Sequence, residues 1–104
     1  MLKLTESKNQ KNYISENRIG RFEIDNNIFK VTDIKVINAI FNQMVIVRAE
    51  CLFVKNVTEY FAFHPDFEKV KPGYEANLYK ADVTTILNKK IKITGARIRW
   101  IKVD

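Results

Sequence analysis

Asp33-Ile34-Lys35-Val36-Ile37-Asn38-Ala39-Ile40-Phe41-Asn42-Gln43-Met44 is the stretch that decides the fold class of this chain. Read at a period of 3.6, Ile34, Ile37, Ile40, Phe41 and Met44 form one apolar stripe. Asp33 stands before them as a helix N-cap. Read as extended chain, the same residues are dominated by β-branched side chains, which favour strands, and Asn42-Gln43 can turn into the next one. The β-branched content makes strand the expectation and helix the alternative.

The segment that follows, Met44 to Val54, is the strongest strand in the chain. One parity presents Val45, Val47, Ala49, Cys51 and Phe53. The other presents Met44, Ile46, Arg48, Glu50, Leu52 and Val54. Apolar residues on both parities describe a strand covered on both faces, or a central strand of a barrel. Beyond Asn56, Val57 to His64 alternates again. Upstream, Arg21-Phe22-Glu23-Ile24, the turn residues Asp25-Asn26-Asn27 and Ile28-Phe29-Lys30-Val31 read as a β-hairpin. Residues 78–88 fit either a helical stripe or a strand face, and Val83-Thr84-Thr85-Ile86 tips them to strand. After the turn Asn88-Lys89-Lys90, residues 91–103 form the last strand. Gly95 marks a one-residue bulge that puts Ile91, Ile93, Ile98 and Trp100 on the core face and Lys92, Thr94, Arg97 and Arg99 on the other. Between the strands, Pro65 and Pro72-Gly73 define a loop over 65–75, with Phe67 and Val70 pinning it to the core.

The expected fold is therefore mostly β: one small antiparallel barrel or rolled sheet of about six strands. The alternative is α+β with one or two short helices, at 33–44 or 78–88. Residues 1–18 are polar and aperiodic and read as an N-terminal arm; residues 19–104 form a single domain. An apolar content of 46% with 29% charged residues excludes global disorder. Residues 1–6 hold no apolar leader, and no apolar run approaches the ~18–20 residues of a membrane helix. A cytoplasmic protein with no membrane partner is the expectation.

Charge carries the main functional signal. Of a net +6, residues 88–104 hold +5 through Lys89, Lys90, Lys92, Arg97, Arg99 and Lys102 against Asp104. A basic end on a near-neutral body points to an anionic partner. At strand spacing, Lys92, Arg97 and Arg99 can meet successive phosphates, with Tyr60, Tyr74, Tyr79 and Trp100 as candidate stacking partners. The same charges would also protect an edge strand from aggregation.

Catalytic chemistry has little to stand on. His64, the sole histidine, has Glu59 and Asp66 nearby in sequence but no nucleophile motif or glycine-rich phosphate loop. Its His-Pro-Asp triplet also occurs in J-type co-chaperone domains, there between helices; strands flank it here. Cys51, the sole cysteine, reads as a small buried hydrophobe in a reducing compartment. One Cys and one His make no structural zinc site, so neither a metal nor another cofactor is called for.

The segment His64-Pro65-Asp66-Phe67 through Pro72-Gly73-Tyr74, following Tyr60-Phe61-Ala62-Phe63, resembles small phage-encoded all-β accessory proteins. That resemblance implies a factor acting on nucleic acid, an inhibitor of host defence or a minor structural part. The expected function is a non-enzymatic binding protein for a nucleic acid or nucleoprotein complex. The alternative is a protein-binding inhibitor or a homo-oligomeric part that binds through an edge strand, without nucleic-acid affinity.

Overall fold

Asp33 does cap a helix. In the structure, a computed structural model describing residues 12–28 and 33–103, its Oδ1 accepts from the Lys35 N–H at 2.8 Å. Its carbonyl receives the Val36 N–H at 3.0 Å. The elements in chain order are α1 (Asn12–Ser15), β1 (Ile19–Asp25), α2 (Ile34–Phe41), β2 (Val45–Leu52), β3 (Val57–Phe63), β4 (Asn77–Leu87) and β5 (Ile93–Val103). The strand expectation for 33–44 is corrected here. β-propensity is a weak preference that packing overrides, and the i, i+4 pair Val36 and Ile40 buries itself as a helix face. Ile34, placed above on the apolar stripe of the helix, is 68% exposed. The Asn42-Gln43 pair ends the helix instead of opening a hairpin, with Gln43 at φ +62°.

The barrel is corrected as well. Among the described residues, five strands form one open sheet in the order β2-β3-β1-β4-β5. All neighbours are antiparallel except β1 and β4, which run parallel over Gly20–Phe22 against Asn77–Tyr79. Among the described residues the sheet has two free edges, and with its two helices the protein is mostly β with helices, not all-β. The hairpin expected over 21–31 does not form as drawn. β1 is flanked by β3 and β4, Ile28 is helical, and the rest of its expected second arm, 29–31, lies outside the described residues. Met44–Val54, expected to be covered on both faces or central in a barrel, supplies the edge strand β2 (Val45–Leu52). Its six residues Ile46–Cys51 are all exposed, Cys51 included.

Alternation divides the sheet into two unlike faces. The inner face presents Phe22 and Ile24 from β1, Tyr60 and Ala62 from β3, Tyr79 from β4, and Ile98 and Trp100 from β5. Phe22, Ala62 and Tyr79 are at most 4% exposed. α2 packs on this face, chiefly over β5. The 65–75 loop supplies the rest of the cover: Phe67 is 0% exposed, stacked on Tyr79 at 4.3 Å and edge-on to Trp100 at 5.4 Å. An isolated β-bridge between Arg18 and Lys69 sews that loop to the chain before β1. The Val70 N–H donates to the Asn17 carbonyl at 3.0 Å, Asn17 Nδ2 donates to the Val70 carbonyl at 3.1 Å, and Arg18 Nη1 donates to the Phe67 carbonyl at 3.1 Å. Phe67 and Val70 thus pin the loop as their sequence context suggested.

β4 and β5 form a long ribbon whose far end leaves the body. The bulge sits at Thr94, beside Gly95: Gly95 pairs with Ile86 and Ile93 with Leu87, so Thr94 has no partner. The parity of β5 shifts there, and Ile93, Ala96, Ile98 and Trp100 all reach the core. Lys35 Nζ, from α2, donates to the Ile93 carbonyl at 3.0 Å and ties the helix to the bulge. Ile91, expected on the core face, lies in the turn at φ +59° and is 78% exposed.

Candidate functional site

The six basic residues of the C-terminal end occupy three places. Lys89, Lys90 and Lys92 crown the ribbon tip, where Asn88 Oδ1 accepts from the N–H groups of Lys90 and Lys92 at 2.9 Å each. Arg97 and Arg99 project from the outer face of β5, opposite Thr84 and Asp82. Arg99 is bonded to Asp82 at 3.0 Å. Lys102 falls on the inner-face parity and reaches Glu68 at 3.2 Å. Sequence spacing did not reveal this division, because the faces of β5 depend on the bulge and on what β4 presents.

The aromatics named as stacking partners are largely spent on the core. Tyr60 stacks on Phe22 at 5.2 Å, Trp100 lies 4.9 Å from the same ring, and Tyr79 is buried. All three occupy the face opposite Arg97 and Arg99. Tyr74 is 73% exposed, but in the 65–75 loop. It lines an open depression of about 330 Å³ with Lys69, Val70, Lys71, Glu75 and Asn77.

The outer face carries charge in rows that the sequence reading missed. Across β2, β3 and β1, Arg48, Phe61 and Arg21 stand side by side, and next to them Glu50, Glu59 and Glu23 do the same. Arg48 lies over the Phe61 ring at 4.6 Å. Ion pairs hold the glutamates: Arg21 to Glu59 at 3.6 Å and Arg48 to Glu50 at 3.4 Å across the rows, and Lys55, from the β2–β3 turn, to Glu23 at 3.6 Å. Charges two residues apart along each strand were visible in the sequence; their alignment across strands needed the register.

His64 is 6% exposed and packs against Phe67 and Trp100. Its Nδ1 accepts from the Asp66 N–H at 3.0 Å, which leaves the proton on Nε2. A cavity of about 150 Å³ adjoins it, lined by Ala39, Asn42, Gln43, Asp66, Ala96, Ile98 and Trp100. That lining offers no hydroxyl, thiol or amine nucleophile. Burial pushes the imidazole pKa down from its ordinary 6.5, opposed by the Asp66 carboxylate. The unfolded chain then takes up a proton at a higher pH than the folded one. The contribution of neutral His64 is fully present above about pH 6.5 and is lost as the pH falls below it. His64→Asn keeps an acceptor for the Asp66 N–H and removes the titration. The melting temperature of the wild type is expected to fall more between pH 7 and pH 5 than that of the variant; parallel curves would refute this role.

Among the described residues no group of three His, Cys, Asp or Glu side chains is placed to hold a metal ion. No described helix is long and apolar enough to cross a membrane. Comparison with protein-family models, with curated proteins and with solved structures finds no match.

Proposed function

We propose that this chain is a non-enzymatic protein-binding module, and that its β5 edge takes an extended acidic segment of a partner protein as a sixth strand. The observation that carries this reading is the free edge itself. From Gly95 to Val103, β5 is paired regularly on the β4 side and, among the described residues, has no strand on the other. Unpaired backbone along such an edge is a template for strand addition, with side-chain pockets giving selectivity. Arg97 and Arg99 stand two apart on the outer face, so an added strand meets them with acids at alternate positions. Between these, Ile98 and Trp100 line the inner face, where an apolar residue fits. The preferred segment alternates acidic and apolar residues. Two observations weigh against a nucleic-acid groove: the cations are divided among the tip and both faces, and the rings Tyr60, Tyr79 and Trp100 lie on the opposite side from Arg97 and Arg99. An exposed free thiol at Cys51 suits a reducing compartment, and we place the protein in the cytoplasm.

Fluorescence anisotropy with a labelled peptide of alternating Glu and Val tests this. Binding that weakens with added salt is expected. In the Arg97→Ala/Arg99→Ala variant, Kd should rise roughly tenfold. Absence of peptide binding, or tighter binding of a single-stranded oligonucleotide at physiological salt, would sink the proposal.

A further inference from the structure

The opposite edge poses a different question. β2 has the most apolar sequence of any strand here, composed as if both faces were covered, yet Ile46–Cys51 are exposed throughout. Val47 is 55% exposed, and Phe53, just past the strand end, 88%. α2 lies over the β5 side of the sheet, so Ile46, Ala49 and Cys51, on the inner face, have no cover among the described residues.

We infer that β2 pairs with β2 of a second copy of this chain, joining two sheets into one continuous ten-stranded sheet about a two-fold axis at Ala49. Charge selects this register. In an antiparallel pair, residues directly opposite share a face. A two-fold axis normal to the sheet therefore pairs only positions of like parity. With Ala49 opposite Ala49 of the second copy, Arg48 faces Glu50 and Glu50 faces Arg48. Sliding by one step in either direction sets Arg48 against Arg48 or Glu50 against Glu50, and like charges directly opposite are destabilising. The agreement extends past the edge. The row Arg21, Phe61, Arg48 continues into Glu50, Glu59 and Glu23 of the second copy, and the acidic row continues into the basic one. Each row gains opposite charge where it now ends in solvent. On the inner side, Ala49 falls opposite Ala49 with Cys51 two residues along on each copy, so the apolar strips of the two copies meet at the axis.

Such an interface is isologous and closed. It is independent of the β5 reading, since the two edges lie at opposite ends of the sheet. The other edge is poorly matched to itself: registers of β5 centred on Arg97, Ile98 or Arg99 each set arginine against arginine, and like charges directly opposite are destabilising.

The test is a charge swap read by sedimentation equilibrium. The wild type is expected at twice the 12.2 kDa chain mass. Arg48→Glu alone, or Glu50→Arg alone, should raise the dimer Kd roughly tenfold, since each sets two like-charged pairs face to face. Arg48→Glu/Glu50→Arg restores opposite pairing and should restore the dimer. In a Cys51→Ser background, Ala49→Cys places two thiols at the axis with Cα atoms about 5 Å apart, within disulfide reach. Oxidation should then give a covalent dimer, while wild-type Cys51, four positions out of register with its counterpart, does not crosslink. A monomeric wild type, single reversals that leave the dimer intact, or a double swap that fails to restore it would each overturn the inference.

Discussion

Replacing Phe67 by alanine is expected to cost about 3–5 kcal/mol of stability. Nothing in the core is placed to fill the gap. The ring is wholly buried between the Tyr79 ring and the Trp100 edge, and its backbone is fixed by the Arg18 guanidinium. The core is small; with Phe67, Phe22 is the other large side chain that is fully buried. Domains of this size hold about 5–15 kcal/mol in total, so the variant should sit near the edge of folding. Urea denaturation followed by circular dichroism measures the shift. A loss under about 1 kcal/mol, the scale of an ordinary surface change, would show that the 65–75 loop is not part of the core. Phe67→Leu, which retains most of the apolar volume, should lose clearly less than the alanine variant.

Gly20→Ala should produce the second large effect, by the opposite route. A Cβ on Gly20 would lie 2.7 Å from two carbons of the Tyr79 ring and 2.8 Å from Cδ2 of Phe67. Neither ring can withdraw: they stack on one another, and Tyr79 Oη is held by the Glu68 N–H at 2.8 Å. Overpacking of this kind costs about 1–3 kcal/mol, and the upper part of that range is expected. Gly95→Ala is the control, because its Cβ would meet only Ile86 Cδ1 at 3.9 Å. Thermal melts of the two variants should separate clearly; equal melting temperatures would show that the rings yield.

The absence of a side chain at position 20 stood in the sequence as a plain glycine before a strand, with nothing to say which rings would lie over it. Much of the fold has this character. Local alternation sufficed for β1, β3 and β5, and the β-branched run Val83-Thr84-Thr85-Ile86 tipped β4 to strand. The shift from Ile93 to Ile98 and Trp100 even betrayed the bulge, because a change of parity is a one-dimensional signal. The helix over Ile34–Phe41 was harder: its capping aspartate and its β-branched content point to different structures, and contact with β5 decides between them. The edge position of β2 was not legible at all. The run Val45–Leu52 looks the same whether its cover comes from its own chain or from elsewhere. The candidate site suffered likewise. Arg97 and Arg99 were identifiable by spacing, but the row Arg21, Phe61, Arg48 exists only once three strands are in register.

An open sheet with two free edges is a monomer unit for a fibre, since each edge can accept the next copy without limit. The arginines on the outer face of β5 change that arithmetic. Addition at β2 uses up the edge that matches itself, and both ends of the product then display Arg97 and Arg99, which repel one another in the central registers of β5. Growth is disfavoured after a single step. The basic tail of the sequence thereby acts as a chain terminator, keeping in solution a strand arrangement that would otherwise run on as a ribbon.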